Sequence, residues 1–374
     1  MLGTLNTVER RLFSDAHERR IPINCSFELL PLCNMNCDMC YVRLDREEME
    51  NKGRLRSKEE WLELAAQMQK AGVLFLLLTG GEPLIYPGFK ELYLELRRMG
   101  FILTINTNGT LIDEQWAVFF GKHPPRRINI TLYGCNETTY ENLCHYPGGF
   151  EKTKHGIRLL RQQNVDVKIS ASLVKANQAD APMIARIAHE LDVAFHVDTY
   201  MFPATRERDR SYDANVRLLP EEAGILRAHM FRLETSPQEY VQSIMSSLYK
   251  VANALPGEDK PRQMNCHAGR CSIAVNWQGE MRACTMLQEP TVPVFDVGFE
   301  NAWKLIVDEI EKIQLSAKCS ACKLRDVCNV CAASAMLETG EYDGVPEYMC
   351  RYTQGMMYAY ARDIDAIQKS KRKT

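Results

Sequence analysis

No apolar run in this chain approaches the roughly 18 residues that a membrane span needs, and the N-terminus lacks the pattern of a secretory signal. Net charge is nearly absent too: 46 Lys and Arg against 48 Asp and Glu leave −2. Nucleic-acid binders usually carry a basic face, so no polyanionic partner is expected, and the basic tail KSKRKT reads as a solvated terminus. A cytoplasmic protein without membrane or nucleic-acid partners is the expectation. Its 374 residues suit two domains, and 45% hydrophobic with 25% charged residues is ordinary globular composition.

Cysteine, by contrast, is abundant, with 14 in the chain. Cytosolic thiols stay reduced, so clustered cysteines there point to metal or catalysis rather than disulfides. Three sit together near the front and eight fall within Cys266–Cys350, while only Cys25, Cys135 and Cys144 are scattered. Core packing does not produce that clustering.

The front group lies in PLCNMNCDMCY, residues 31–41. Cys33, Cys37 and Cys40 follow C-x3-C-x2-C, a spacing that wraps three thiolates around one side of an iron–sulfur cube. A [4Fe–4S] cluster normally takes four cysteines, and three leave one iron open. Structural zinc sites are usually closed by a fourth nearby Cys or His, and none follows here. With Tyr41 after the last cysteine, the loop resembles the cluster loop of radical S-adenosylmethionine (SAM) enzymes, in which SAM chelates the open iron.

Residues 1–22 read as a charged amphipathic helix covering the mouth or bottom of the next domain. Strand-like runs then recur at Ile23–Leu30, Val73–Leu78, Phe101–Asn106, Arg127–Tyr133, Val165–Val174 and Ala194–Phe202. Helical patterns separate them. Ser57 and Glu60 form a capping box before Trp61, Leu64, Ala65 and Met68, and Gly72 stops that helix; Phe89, Leu92, Tyr93 and Leu96 end at Gly100; Asn177 opens a third. Six βα units imply a parallel sheet, and a closed barrel needs eight. The expected fold class is α/β: a partial (β/α)6 TIM-like barrel over residues 23–205, which is the radical SAM fold.

Such barrels do their chemistry at the C-terminal strand ends, where the cysteine loop follows the first strand. Thr79-Gly80-Gly81-Glu82-Pro83 follows the second strand, two glycines allowing close backbone approach to a ligand beside a carboxylate. The resemblance assigns this GGEP segment to the SAM amino group, and Asn108 and Thr131 to the SAM ribose region. Residues 206–262 read as a helical bridge partly covering the barrel mouth, with Arg206, Arg208 and Arg210 on a solvated basic loop.

From Cys266 the pattern is C-x4-C-x7-G-x4-C (Cys266, Cys271, Gly279, Cys284), with a hairpin turning at Gln278-Gly279, then Cys319-x2-Cys322-x5-Cys328-x2-Cys331, and finally Cys350. Residues 263–355 thus resemble a small α+β SPASM domain, the extension holding two auxiliary [4Fe–4S] clusters in peptide-modifying radical SAM enzymes. The family usually spaces the last two central cysteines by three residues, here two. Carried over by position, Cys266, Cys271, Cys284 and Cys331 would bind the inner cluster, and Cys319, Cys322, Cys328 and Cys350 the outer one. A pair of zinc sites is the alternative for this region. Residues 356–374 read as a closing helix and tail.

The resemblance implies three [4Fe–4S] clusters, SAM as cosubstrate, and a flavodoxin or ferredoxin as reductant. A reduced cluster cleaves SAM to methionine and a 5′-deoxyadenosyl radical, the cofactor carrying the hard step. Thr285 follows Cys284 where sulfatase-maturing relatives have a basic Asp, which weighs against formylglycine formation. A ribosomally made peptide is the expected substrate, and an oxidative crosslink (C–C, thioether or ether) the expected product. Epimerisation would need a thiol hydrogen donor, for which Cys135 and Cys144 are the candidates, although free cysteine is more often a small buried hydrophobe. A small-molecule or folded-protein substrate, or a non-enzymatic zinc or iron–sulfur electron carrier, are the competing readings. Iron and sulfide analysis of anaerobically prepared protein should give about twelve irons per chain for three clusters, and about eight would remove one assignment.

Overall fold

The computed structural model describes residues 7–203, 216–255, 257–258 and 260–371; Arg206, Arg208 and Arg210 lie outside them. The first half runs α1 (Thr7–Arg19), β1 (Asn24–Glu28), α2 (Arg46–Lys52), α3 (Lys58–Ala71), β2 (Phe75–Thr79), α4 (Phe89–Arg98), β3 (Ile102–Thr107), α5 (Glu114–Lys122), β4 (Arg127–Thr131), α6 (Glu137–Cys144), α7 (Gly149–Gln162), β5 (Val167–Ser172), α8 (Ala181–Glu190) and β6 (Ala194–Asp198). β1 to β6 pair in parallel in chain order, as the six βα units require.

Local chemistry sets these elements. Ser57 caps α3 in a reciprocal box with Glu60, and Gly72 ends it in the left-handed region. Trp61, Leu64, Ala65 and Met68 form its buried face, with Trp61 packed 4.4 Å from the Phe27 ring of β1. Along the strands, buried apolar residues (Phe27, Leu78, Ile105, Ile130, Ile169) alternate with half-buried polar ones (Ser26, Thr104, Asn106, Asn129, Thr131, Lys168, Ser170). Parallel strands buried on both faces read as continuous apolar runs. This alternation gives the sheet one apolar face for the helices and one polar face.

Asn177 does not cap a helix. Its Oδ1 accepts from Val174 N at 2.7 Å, and its Nδ2 donates to Tyr133 O and Ser172 O, tying the ends of β4 and β5 together. A short 3₁₀ turn intervenes before α8.

The second half runs α9 (Pro220–Glu234), α10 (Pro237–Ala252), β7 (Arg262–Gln263), β8 (Ser272–Val275), β9 (Glu280–Arg282), β10 (Thr291–Pro293), α11 (Val294–Val297), α12 (Phe299–Ile310), β11 (Gln314–Leu315), α13 (Ala317–Ala321), α14 (Ala332–Thr339) and α15 (Glu347–Lys371). The hairpin expected at Gln278-Gly279 is β8–β9, but it is not separate from the barrel. β8 pairs in parallel with β1, extending one sheet in the order β10-β9-β8-β1-β2-β3-β4-β5-β6. The backbone groups on β1's outer edge need partners, and the hairpin supplies them. At the other edge, Glu234 of α9 accepts from Val197 N of β6 at 2.8 Å and is held by Arg227 and His196. The bridge therefore packs along the last strand's edge. The C-terminal helix begins at Glu347, ahead of the expected boundary, and carries Cys350 in its first turn. Phe13 and Ala16 of α1 pack with Ile23, Phe75 and Cys271 below the strand starts, at the bottom of the barrel.

A buried ion pair joins the two halves. Arg217, on the segment leading into α9, contacts Glu338 of α14 at 2.9 Å, with side chains 7% and 10% exposed. Tyr200 OH donates to the same carboxylate at 2.9 Å, and the Arg217 guanidinium stacks 3.7 Å from the Tyr348 ring centroid. Removing one partner of a buried pair leaves an uncompensated charge, at a cost of about 3–5 kcal/mol. Glu338→Ala should therefore lower the unfolding midpoint in calorimetry by several degrees; an unchanged midpoint would show that the pair does not hold the halves together.

Candidate active site

The cysteine loop follows β1 at the C-terminal end of the strands. It has little regular structure, yet Leu29, Leu30, Met35, Cys37, Met39, Val42 and Leu44 are all buried. A buried loop must find partners for its backbone, and this one finds them on two sides. On one, Gly81 N donates to Leu30 O at 2.7 Å and Glu82 N to Leu32 O at 2.9 Å. On the other, Asn36 N and Asp38 N donate to Cys144 O and Leu143 O, both at 3.0 Å. Those carbonyls end α6, where the left-handed His145 (φ 50°) stops the helix and leaves its last acceptors free. His145 Nε2 also meets Asp38 Oδ1 at 2.8 Å.

The loop gathers its thiols and aims amides at them. Met35 N donates to Cys33 Sγ at 3.4 Å and Arg43 N to Cys40 Sγ at 3.3 Å. Burial, then the Glu82 charge, pushes the Cys33 thiol up, and Cys37 and Cys40 are near enough to add to it. Cys37 is held up first by a hydrogen bond with Cys144 and then by burial, while Tyr133 bonds it in the opposite sense. Three adjacent thiols, two of them with backbone N–H donors on sulfur, are a donor set that fits an iron–sulfur cluster.

Glu82 is fully buried and braces the site. It accepts from Leu84 N (3.1 Å), Thr107 Oγ1 (2.7 Å) and Asn108 N (2.8 Å), joining the loops after β2 and β3. Burial outweighs these three bonds and pushes its carboxyl up to about 7. Asn108 continues the chain: its Nδ2 donates to Asn34 Oδ1 at 2.8 Å and approaches Cys33 Sγ at 3.7 Å. Thr131, half-buried at the end of β4, lies in register with Ser170, and Tyr41 is half-buried beside Cys40. The two glycines answer to the protein's own backbone. A Cβ on Gly80 would lie 2.5 Å from Leu30 O, and one on Gly81 2.1 Å from Leu32 O. Close approach is needed here, but by the cysteine loop.

Eight further thiols divide unevenly. Cys319, Cys322 and Cys328 all act on Cys350, which burial first and those neighbours next push up to about 11. Cys284, pushed up to about 11 chiefly by burial, also feels Cys331 and Cys266. Of the expected inner set, Cys271 is the member whose contacts differ. Burial leads its rise to about 11, Cys266 is the one thiol acting on it, and its Sγ lies 3.1 Å from His267 Nδ1 under α1. The reason is its place immediately before β8, where side chains alternate. Cys135 is half-buried at the start of α6, with Asn136 Nδ2 3.4 Å from its sulfur, while Cys144 is fully buried.

Sequence reasoning did not single out Tyr133, Asn34 or Thr107, or Cys144 as a neighbour of Cys37. Asn34 and Thr107 adjoin Cys33 and Asn108 and could have been suspected; the others are joined only by folding. Two surface cavities, of about 390 Å³ beside Tyr86 and Glu91 and about 890 Å³ beside Val292 and Tyr342, contain none of these residues.

The clamp on the loop generates one prediction. Gly81→Ala forces a methyl into the Leu32 carbonyl and should give protein holding about four fewer irons per chain; a full iron content would place the glycine's role elsewhere.

Residues 27–186 match the Radical SAM superfamily. The AdoMet-dependent heme synthase of Methanosarcina barkeri is 26% identical over 88% of this chain and 96% of its own length. The subtilosin biosynthesis protein AlbA of Bacillus subtilis is 24% identical over 73% of this chain, which spans 57% of AlbA. Among solved structures, Streptococcus suis SuiB shares the fold with a TM-score of 0.65 at 15% identity, over 91% of this chain and 80% of SuiB. Residues 27–186, with the cysteine loop and the parallel partial barrel, are thus a Radical SAM domain, and the proteins to which the chain is similar include radical SAM peptide maturases.

Proposed function

We propose that this enzyme modifies a ribosomally synthesised peptide, removing a hydrogen atom from one of its residues and installing an oxidative crosslink. The observation that carries the radical chemistry is the loop of Cys33, Cys37 and Cys40, clamped between the glycine turn and α6 with amides on its sulfurs. When bound there, the cluster and SAM supply the 5′-deoxyadenosyl radical, on one electron from a flavodoxin or ferredoxin. The chain's own part is to position. Asn108 and Asn34 steady Cys33; Gly80, Gly81 and Glu82 fix the turn facing the SAM amino group; Tyr41, Asn108 and Thr131 border the nucleoside. Asn106, Asn129, Lys168 and Ser170, on the sheet's polar face, offer hydrogen bonds to a peptide backbone. Cys319, Cys322, Cys328 and Cys350 would hold the outer auxiliary cluster, and Cys266, Cys284 and Cys331 would serve the inner one. The peptide is favoured by AlbA, by the sporulation killing factor maturation protein SkfB of Bacillus subtilis, and by SuiB, also solved bound to its precursor peptide SuiA. With Cys144 packed against Cys37, Cys135 is the more accessible hydrogen donor if the product is an epimer.

A second reading has its own support. The heme synthase aligns over 96% of its length, which favours a small-molecule substrate of the kind such enzymes use. Deoxyadenosine production should rise with the true substrate, so a precursor peptide and an iron porphyrin offered separately distinguish the two. Cys33→Ala, Cys37→Ala and Cys40→Ala should each abolish SAM cleavage, whereas Cys144→Ser and Cys284→Ala should retain it. SAM cleavage by the Cys40 variant would refute the site assignment.

A further inference from the structure

The sulfur of Cys271 meets imidazoles, and what surrounds it is chemically specific. Its sulfur, one ring nitrogen of His267 and one of His17 all lie within 4.8 Å of one another. The Cys271 Sγ to His267 Nδ1 separation is 3.1 Å, and the His17 and His267 rings meet edge-on with centroids 5.5 Å apart.

The two C-terminal members are rigidly set. Arg270 N, Cys271 N and Ser272 N all donate to His267 O, at 3.0, 3.0 and 2.9 Å, closing a tight turn through the left-handed Gly269 (φ 64°). Cys271 O accepts from Ile23 N and Asn24 N, both at 3.1 Å, anchoring the turn to the start of β1. His17 comes from the opposite direction, on α1, whose Phe13 ring packs 5.5 Å from His267. Two guanidiniums border the group: Arg20 donates to His17 O at 2.6 Å and meets Glu311 at 3.2 Å, and Arg270 donates to Gln263 at 3.3 Å. Cys271 itself is fully buried among Phe13, Ala16, Ile23 and Phe75.

We propose that His17, His267 and Cys271 form a mononuclear zinc site, separate from the iron–sulfur groups, that staples α1 to the bottom of the barrel and to the turn entering β8. One thiolate and two imidazoles are ligands that zinc takes tetrahedrally; unlike a closed structural site with four protein ligands, this one leaves the fourth position to water. The ligands come from two segments distant in sequence, α1 and the turn entering β8, so bound metal stabilises their docking. It stands independently of the substrate assignment.

The test is metal analysis of the anaerobically purified, cluster-loaded full chain. About one zinc per chain is expected, lost in His17→Ala and in His267→Ala with iron unchanged. Zinc-edge X-ray absorption of the wild type should show one sulfur near 2.3 Å and nitrogens near 2.0–2.1 Å. Zinc-free protein that takes up none on incubation with zinc chloride would overturn the proposal, as would zinc retained in both histidine variants. Loss of about four irons from Cys271→Ser, with zinc unaffected, would equally overturn it by returning Cys271 to the inner cluster.

Discussion

The structure depends on a buried segment without regular secondary structure being hydrogen-bonded on two sides. The cysteine loop lends two carbonyls to the glycine turn and takes two from the end of α6. Each arrangement solves a problem on both sides: the loop's amides are satisfied, and α6's terminal acceptors are used without a capping glycine. Glu82 then binds the turn to the loop after β3, and Asn108 carries that link back to Asn34 and Cys33. The thiols are therefore positioned by a closed circuit running through β1, β2, β3 and α6. The loop's backbone is held this way by the protein's own hydrogen bonds.

The same economy governs the sheet's edges. An open barrel has two, and each is a liability unless paired or covered. β8 completes one and Glu234 blunts the other. Because the completing strand belongs to the C-terminal region, that region cannot swing freely against the barrel. Arg217 and Glu338 pin the opposite side. The groups of thiols are thus fixed relative to the front loop, a condition any electron exchange between them would require.

The polar face of the sheet carries hydrogen-bonding side chains. Its asparagines, serines, threonines and Lys168 can bond peptide amides or the carboxylates of a small molecule. The chain is similar to relatives of both kinds, a heme synthase and peptide-maturation proteins. Function of this type lives in the site rather than the scaffold.

Much of this was legible before folding. Capping at Ser57 and Glu60, the stop at Gly72, the six strands and the cysteine spacing are local signals, because helix caps and chelate loops are built from residues a few positions apart. The glycines of the turn were recognised as sites of close approach, but which backbone approaches was not encoded nearby. Asn177 looked like a cap because its type suits one, and tertiary bonds to Tyr133 and Ser172 claimed it instead. The sequence by itself determined the order of the barrel's elements and the spacing of its cysteines. Only the tertiary structure decided that the hairpin joins β1, that Cys144 meets Cys37, and that Cys271 turns toward His17 and His267. Those contacts join segments tens to hundreds of residues apart, where spacing along the chain carries no information and packing alone chooses the partner.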